Sequence, residues 1–229
     1  PMHEAEALYN NTGFNYGAHY LGILTHFDKD PLAQTQDLKL LCSRDGEHWQ
    51  RVPGGPLVEL GAVGEWDRFQ LMLSGAPPIA VGDKLYLYYR GTARRHGKVQ
   101  REFDPRISAD QDTGTMGIGL ATLRLDGFAS FGASFDGGRL TSKPFSLVGD
   151  ELWVNAKADY GRLTVDLLDA ESKPLAGYTA EDCIAIEEDS VAICVRWRGG
   201  KGLRALAGQP VRLRFALNNA RLYSYWCAS

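Results

Sequence analysis

Apolar residues recur at every second position along most of this chain, and that periodicity restricts it to β structure. In Arg162-Leu163-Thr164-Val165-Asp166-Leu167 the Leu and Val side chains project to one face and Thr and Asp to the other, as in a sheet with one face on a core and one in water. Val211-Arg212-Leu213-Arg214-Phe215 repeats the pattern. No run of a dozen residues keeps apolar positions at i, i+3, i+4 and i+7, so no long helix is expected. The clearest predicted strands cover 20–27, 38–43, 84–89, 117–125, 162–168, 191–197, 211–217 and 222–226, each rich in β-branched or aromatic residues. Turn dipeptides separate them, among them Asp45-Gly46, Gly82-Asp83, Asp126-Gly127 and Gly199-Gly200.

A chain of 229 residues suits one large all-β domain or two modest ones, and its 26 glycines fit the many turns such a fold needs. The formal charge of −3 supplies no positive field for phosphate backbones or anionic lipid, so neither nucleic acid nor a membrane is expected as a partner. Arg94, Arg95, His96 and Lys98 form the densest basic cluster, too short for a polyanion site and read as a solvated loop. No stretch has the apolar length to span a bilayer, and the acidic first residues do not resemble a signal peptide, so a soluble chain is predicted. Pro1 stands where an initiator Met would, which suggests processing or truncation. Cys42, Cys183, Cys194 and Cys227 form no Cys-x-x-Cys pair, so no metal is expected. A bridge across the span from Cys183 to Cys194 is sterically open, but buried free thiols are the expectation. Nothing calls for a cofactor: Gly114-Thr115-Met116-Gly117-Ile118-Gly119 opens a strand and lacks the Lys of a phosphate-cradling loop.

The two halves differ. Residues 138–229 hold several one-sided strands, most simply satisfied by two sheets packed face to face as a β-sandwich. In the first half, Leu38 to Trp49 is a strand, an Asp-Gly turn and an aromatic, and Ile118 to Phe128 repeats that scheme about eighty positions later, as radially repeated sheets do. The segment from Thr92 to Thr115 reads as a long loop, of a length that tends to be functional or mobile.

Ser43-Arg44-Asp45-Gly46-Glu47-His48-Trp49 resembles the S-x-D-G-x-x-W turn in blades of sialidases and five-bladed glycoside hydrolases. With Gly82 to Tyr89, Leu123 to Phe128, Leu206 to Leu213 and Leu222 to Trp226, in that order, the chain from about Tyr16 onward is similar to the C-terminal portion of family-32 glycoside hydrolases. The resemblance implies an all-β protein: a partial five-bladed β-propeller (its last blades, residues 1–136) followed by a β-sandwich (138–229). It implies a carbohydrate substrate, a fructosidase-like activity on glycosidic bonds, upstream blades or self-association to complete the propeller, and an exported or periplasmic location. The family's Asn-Asp-Pro-Asn nucleophile motif is absent, and Phe103-Asp104-Pro105 lacks the Arg of its Arg-Asp-Pro motif. The nucleophile-bearing blades are therefore expected to precede Pro1 in a longer parent, or hydrolysis has been abandoned.

Glycoside hydrolysis takes two carboxyl groups, one protonated and one ionised. Glu4 and Glu6, two apart in an extended segment, point to one face, where repulsion can hold one proton; Glu6 is the candidate catalytic acid, set against a bland pair of solvated carboxylates at a loose terminus. Glu65-Trp66-Asp67 places acids around an indole, which suits sugar stacking and hydroxyl recognition and equally suits packing at a blade corner. Tyr89 and His96 complete the candidate substrate contacts, His96 through a pKa near the working range or as a solvated loop residue. Ser43, Asp45 and His48 sit within one tight turn and cannot line up as a nucleophilic triad. A non-catalytic carbohydrate-binding module using Trp49, Trp66 and Tyr89, or a purely structural β module, is the alternative.

Overall fold

The computed structural model describes residues 6–30, 33–96, 115–200 and 202–229. Among them every regular element except one short 3-10 turn, Leu203–Leu206, is a β-strand, so the protein is all-β as the periodicity requires. Two compact units divide it, Pro1–Leu123 and Arg124–Ser229.

In the first unit, β1 (Glu6–Tyr16), β2 (His19–Asp28), β3 (Thr35–Ser43) and β4 (Trp49–Arg51) form an antiparallel meander. A second group gathers on β7 (Lys84–Thr92), which pairs with β5 (Gln70–Leu73), β6 (Ile79–Val81) and β8 (Met116–Arg124). The β6–β7 hairpin closes on Gly82-Asp83, where Gly82 takes the left-handed φ of +61° that a two-residue turn demands. One parallel pair, Gln36 with Gln70, joins the groups, reinforced by the Gln36 N–H donating to the Phe69 carbonyl at 2.9 Å.

The turn between β3 and β4 is organised by Asp45. Its Oδ1 accepts the Glu47 and His48 N–H groups at 2.9 and 2.8 Å and the Ser43 hydroxyl at 3.0 Å, while its Oδ2 lies 2.8 Å from His48 Nδ1. The backbone N–H of His48 acts most strongly, then its ring and the Glu47 N–H, to hold the Asp45 carboxyl well below the usual carboxylate range. Asp45, not His48, stands in the middle, so the Ser43 hydroxyl meets the carboxylate rather than the imidazole that a nucleophilic triad places beside it. The closed turn aims Trp49 back over the sheet, its Nε1 donating to the Gly46 carbonyl at 2.9 Å. There the indole lies on the cross-strand pair Gly13 and Gly22: a Cβ at Gly22 would stand 2.6 Å from Asn11 Oδ1 and 2.9 Å from Trp49 Cζ3. The second copy of the strand-turn-aromatic scheme is built otherwise. Gly127 N–H donates to the Arg124 carbonyl at 2.9 Å, and the Asp126 carboxylate accepts the hydroxyl of Ser224.

The second unit has two four-stranded sheets. One places β15 (Pro210–Asn218) between β13 (Arg162–Leu168) and the short β10 (Gly138–Thr141) and β11 (Phe145–Ser146); the other runs β14 (Asp189–Val195), β12 (Glu151–Lys157), β16 (Ala220–Ala228), β9 (Phe131–Ala133). Leu163, Val165 and Leu167 from β13, Leu213 and Phe215 from β15, and Leu152, Val154 and Ala156 from β12 are fully buried in one shared core. Trp197 edges against Tyr178 at its border and donates from Nε1 to the Val165 carbonyl at 3.0 Å.

Two expectations change here. The division falls at Leu123/Arg124 rather than at 136/138, because buried Asn155 accepts Arg124 Nε at 2.9 Å and donates to the Leu125 carbonyl at 2.7 Å, and β9 pairs with β16. The polar face of β13 is not wet: Thr164 and Asp166 are buried, with Asp166 accepting the Ala180 N–H at 2.7 Å and Arg214 Nε at 2.9 Å. Its partners lie on a neighbouring strand and in a following loop, so alternation alone cannot reveal them. All four cysteines are free thiols, Cys183 buried.

Gly22→Val forces a side chain against Asn11 and Trp49, and overpacking of this kind costs about 1–3 kcal/mol. Urea denaturation followed by tryptophan fluorescence is expected to show that loss, and Gly22→Val combined with Trp49→Leu is expected to recover part of it.

Candidate functional site

The sequence-predicted residues occupy three separate places in the first unit. Glu6 opens β1, where register sets Leu8 opposite His26 and His26 opposite Asp37. Side chains opposite one another share a face, so a line of charges forms: Lys39 Nζ to Asp37 Oδ2 at 2.8 Å, Asp37 Oδ1 to His26 Nδ1 at 3.0 Å, His26 Nε2 to Glu6 Oε1 at 3.4 Å, and Glu6 Oε2 to Arg51 Nη1 at 3.3 Å. The contact between His26 and Glu6 has ion-pair distance without hydrogen-bond geometry, and Nε2 is otherwise unpartnered. Burial acts to raise the Glu6 carboxyl, but the charges and hydrogen bonds of His26 and Arg51 outweigh it and hold the group below its ordinary value. That pull opposes retention of a proton at neutral pH. Glu4, expected to supply the repulsion, lies outside the described residues, as do Asp104 and most of the segment from Thr92 to Thr115.

Trp66, Asp67 and Tyr89 do come together. The Trp66 and Tyr89 rings stack nearly parallel, centroids 5.9 Å apart, and the Tyr89 hydroxyl donates to Asp67 Oδ2 at 2.7 Å. Glycines make the space: a Cβ at Gly119 would collide with the Tyr89 ring at 2.3 Å, and one at Gly91 with Asp67 Cβ at 2.5 Å. Asp67 and Tyr89 are buried and Trp66 half-buried, and the Asp67 carboxylate and Tyr89 hydroxyl face one another. Burial first, then the hydrogen bond and charge of Asp67, push Tyr89 up from 10.0 to about 12.

His96 stands elsewhere, edge-on to Phe27 at 4.7 Å and to Tyr9 at 5.1 Å. Phe27 and His26 are consecutive on β2 and point to opposite faces, so His96 and Glu6 lie on opposite sides of the meander. On the His96 side a cavity of about 460 Å3 opens beside the parallel pair. Tyr9 of β1, Gln36 of β3, Gln70 and Met72 of β5 and Arg90 of β7 line it, with Arg94, Arg95 and His96 beyond β7. Gln36 is 1% exposed and its Nε2 has no hydrogen-bond partner. Such a group is costly to leave unpaired. Gln70 Nε2 donates to the Arg94 carbonyl, the His96 N–H donates to the Gln34 carbonyl at 3.0 Å, and the Arg95 guanidinium lies 4.2 Å above the Phe69 ring.

Sequence reasoning found His96 but not Gln36, Gln70 or Arg90. One signal was present for Gln36: it shares the strand parity of Leu38 and Leu40, which are buried, so a polar side chain occupies a core-facing position. Among the described residues no cluster of three or more His, Cys, Asp or Glu side chains forms a metal site. No protein-family model and no curated protein matches the chain.

Tyr89 acquires charge on deprotonation, and its raised value means the folded state holds that proton more tightly than the unfolded chain. Its stabilising contribution is full below about pH 10 and is lost as pH rises through about 12, a difference worth roughly 2–3 kcal/mol. Tyr89→Phe is expected to remove this part of the alkaline stability loss, and Asp67→Asn to lower the tyrosine's titration midpoint in a spectrophotometric pH titration.

Proposed function

We propose that this chain is a glycoside hydrolase-like protein that engages carbohydrate, with the first unit contributing propeller blades, the second a β-sandwich, and the Gln36–Gln70 cavity as the surface that holds sugar. The observation that carries this is an open cavity whose wall holds Gln36, its buried amide nitrogen unpartnered, together with Gln70 and the half-exposed ring of Tyr9. Amide donors and acceptors suit vicinal hydroxyls, and an exposed aromatic offers a face for a pyranose or furanose ring. The volume of about 460 Å3 lies within the range of roughly 300–1,000 Å3 usual for small-molecule sites. The motif order from Ser43 to Trp226 supports the same class.

Glycoside hydrolysis takes two carboxyl groups across the bond. No carboxylate lines the cavity among the described residues, and Glu6 lies on the other side of the meander held toward its ionised form. The cavity is therefore assigned to holding sugar rather than to bond cleavage.

Calorimetric titration with a panel of fructosides, arabinosides and other glycosides, run beside an assay for released reducing sugar, tests this. Saturable binding without turnover is expected, with Gln36→Leu weakening it about tenfold, the usual scale for one buried hydrogen bond to a ligand. Turnover by the chain itself would overturn the assignment of holding without cleavage, and the absence of binding to any sugar would overturn the carbohydrate function.

A further inference from the structure

Of the five tryptophans, three have their rings set against the protein itself. Trp49 lies on Gly13 and Gly22, Trp66 lies against Gly117 and stacks on Tyr89, and Trp197 is 4% exposed. The other two, Trp153 of β12 and Trp226 of β16, stand opposite one another in the antiparallel register, their planes 13° apart and their centroids separated by 6.4 Å. Leu152 and Val154 on either side of Trp153 fill the core of the second unit, so both indoles stand on the outer face of the sheet. The sheet stops beside Trp226, because β9, the outermost strand, pairs with β16 only at Ala220, Arg221 and Leu222. Trp226 is accordingly 38% exposed, a large apolar area to leave in water. On the other side of Trp153 the row continues to its second cross-strand partner, Cys194 of β14, where a cavity of about 510 Å3 opens. Glu151 and Arg196 line that cavity, and Glu151 Oε2 accepts Trp153 Nε1 at 3.0 Å, which fixes the plane of the ring. Burial and then the Glu151 charge raise the Cys194 thiol while Arg196 pulls the other way, so both charged groups stand beside the row.

We propose that the row of Trp226, Trp153 and Cys194, with Glu151 and Arg196 at its end, is a second carbohydrate site, carried wholly by the second unit and shaped for a chain of neutral pyranoses. It is separate from the Gln36–Gln70 cavity, and neither depends on the other. The C–H faces of successive sugar rings lie along the two indoles, while Glu151 accepts from, and Arg196 donates to, hydroxyls of the unit that reaches the cavity. Two indoles in a row favour a chain, since a single sugar covers only one of them. The charge there is balanced: Asp150 and Glu151 face Arg196 and Arg198 among the described lining residues, so an uncharged ligand is the match. Proline-rich peptides also seek exposed aromatics, but they offer carbonyls and few N–H groups. The indole N–H that such a carbonyl would seek on Trp153 is already given to Glu151. A sugar hydroxyl both donates and accepts, and so uses the carboxylate and the guanidinium alike. Strand pairing also prepositions two stiff rings, so little freedom is lost on binding.

The test titrates the full chain with cello-oligosaccharides and xylo-oligosaccharides of increasing length, with inulin-type oligosaccharides and with a polyproline peptide, followed by tryptophan fluorescence. That signal reports this row, because no indole lines the Gln36–Gln70 cavity. A saturable change is expected with at least one pyranose series, its affinity rising from monosaccharide to oligosaccharide. Trp226→Ala is expected to weaken binding about tenfold or more, the scale for truncating a well-placed tryptophan, and Trp226→Phe to keep most of the affinity, with Trp153 as the remaining reporter. Arg196→Ala, at an exposed position, is expected to weaken binding severalfold with both indoles in place, and Gln36→Leu to leave it unchanged. Circular dichroism confirms the fold of each variant. Undiminished binding by Trp226→Ala would overturn the site. Equal affinity for monosaccharide and oligosaccharide would overturn the chain preference, and preference for the inulin series would overturn the pyranose assignment. A response to the peptide and to no sugar would overturn the ligand class in favour of a proline-rich partner. No response to any of these would overturn the proposal and leave the Gln36–Gln70 cavity, read by calorimetry, untouched.

Discussion

Two strand groups meet in the first unit through a single parallel pair, Gln36 and Gln70, and the geometry around that pair follows from how little backbone it joins. A full ladder would satisfy N–H and C=O groups one residue after another; here side chains and loop backbone take over after one bridge. The Gln70 amide bonds to the Arg94 carbonyl, and His96 N–H to that of Gln34. Strands that part after one pair leave space between them, and the cavity occupies it. Its wall is polar because the neighbouring backbone needs polar partners, and open because no ladder fills it.

The two units distribute polarity differently. In the second, Leu152, Val154, Leu163, Val165, Leu167, Leu213 and Phe215 pack into one apolar core, and its buried polar residues, Asn155, Thr164 and Asp166, are few. The first buries Thr25, His26, Gln36, Ser43, Asp67, Thr92 and Arg95. Unmet groups among these, such as Thr25 Oγ1 and Gln36 Nε2, are tolerated where the rest of the unit supplies enough burial to carry them.

Alternation made β2, β3, β7, β8, β13, β14, β15 and β16 legible in sequence, but not β5 or β12, although Leu71 and Leu73 in the one and Leu152, Val154 and Ala156 in the other give each a buried apolar face. It failed also for β1, the longest strand, whose centre holds Asn10, Asn11 and Gly13, residues depleted in strands, and which exposes most of its side chains. Trp66 and Asp67 were legible as a pair because they are neighbours in sequence, whereas the hydroxyl of Tyr89, 22 residues on, determines what Asp67 does. For Glu6 the sequence offered only Glu4 as an influence, while the groups that set its protonation, His26 and Arg51, arrive through strand register, Arg51 from 45 residues away. Of the cavity only the basic run Arg94-Arg95-His96 stood out in sequence, where it read as a solvated loop. Its strand residues come one or two at a time from four strands, and only the splayed junction makes them neighbours of one another and of the run Arg94-Arg95-His96.

The seat of Trp49 on Gly13 and Gly22 carries a consequence for descent. At Gly22 the indole and the Asn11 amide together leave no room for a side chain, whereas a Cβ at Gly13 would only touch the ring at 3.4 Å. Sequence drift at residues 11, 22 and 49 is therefore not independent: a lineage can enlarge residue 22 only where residues 11 and 49 give way. Among relatives of this chain, side-chain volume at 22 should trade against volume at 11 and 49, and a bulky residue at all three marks a lineage in which this turn has been rebuilt.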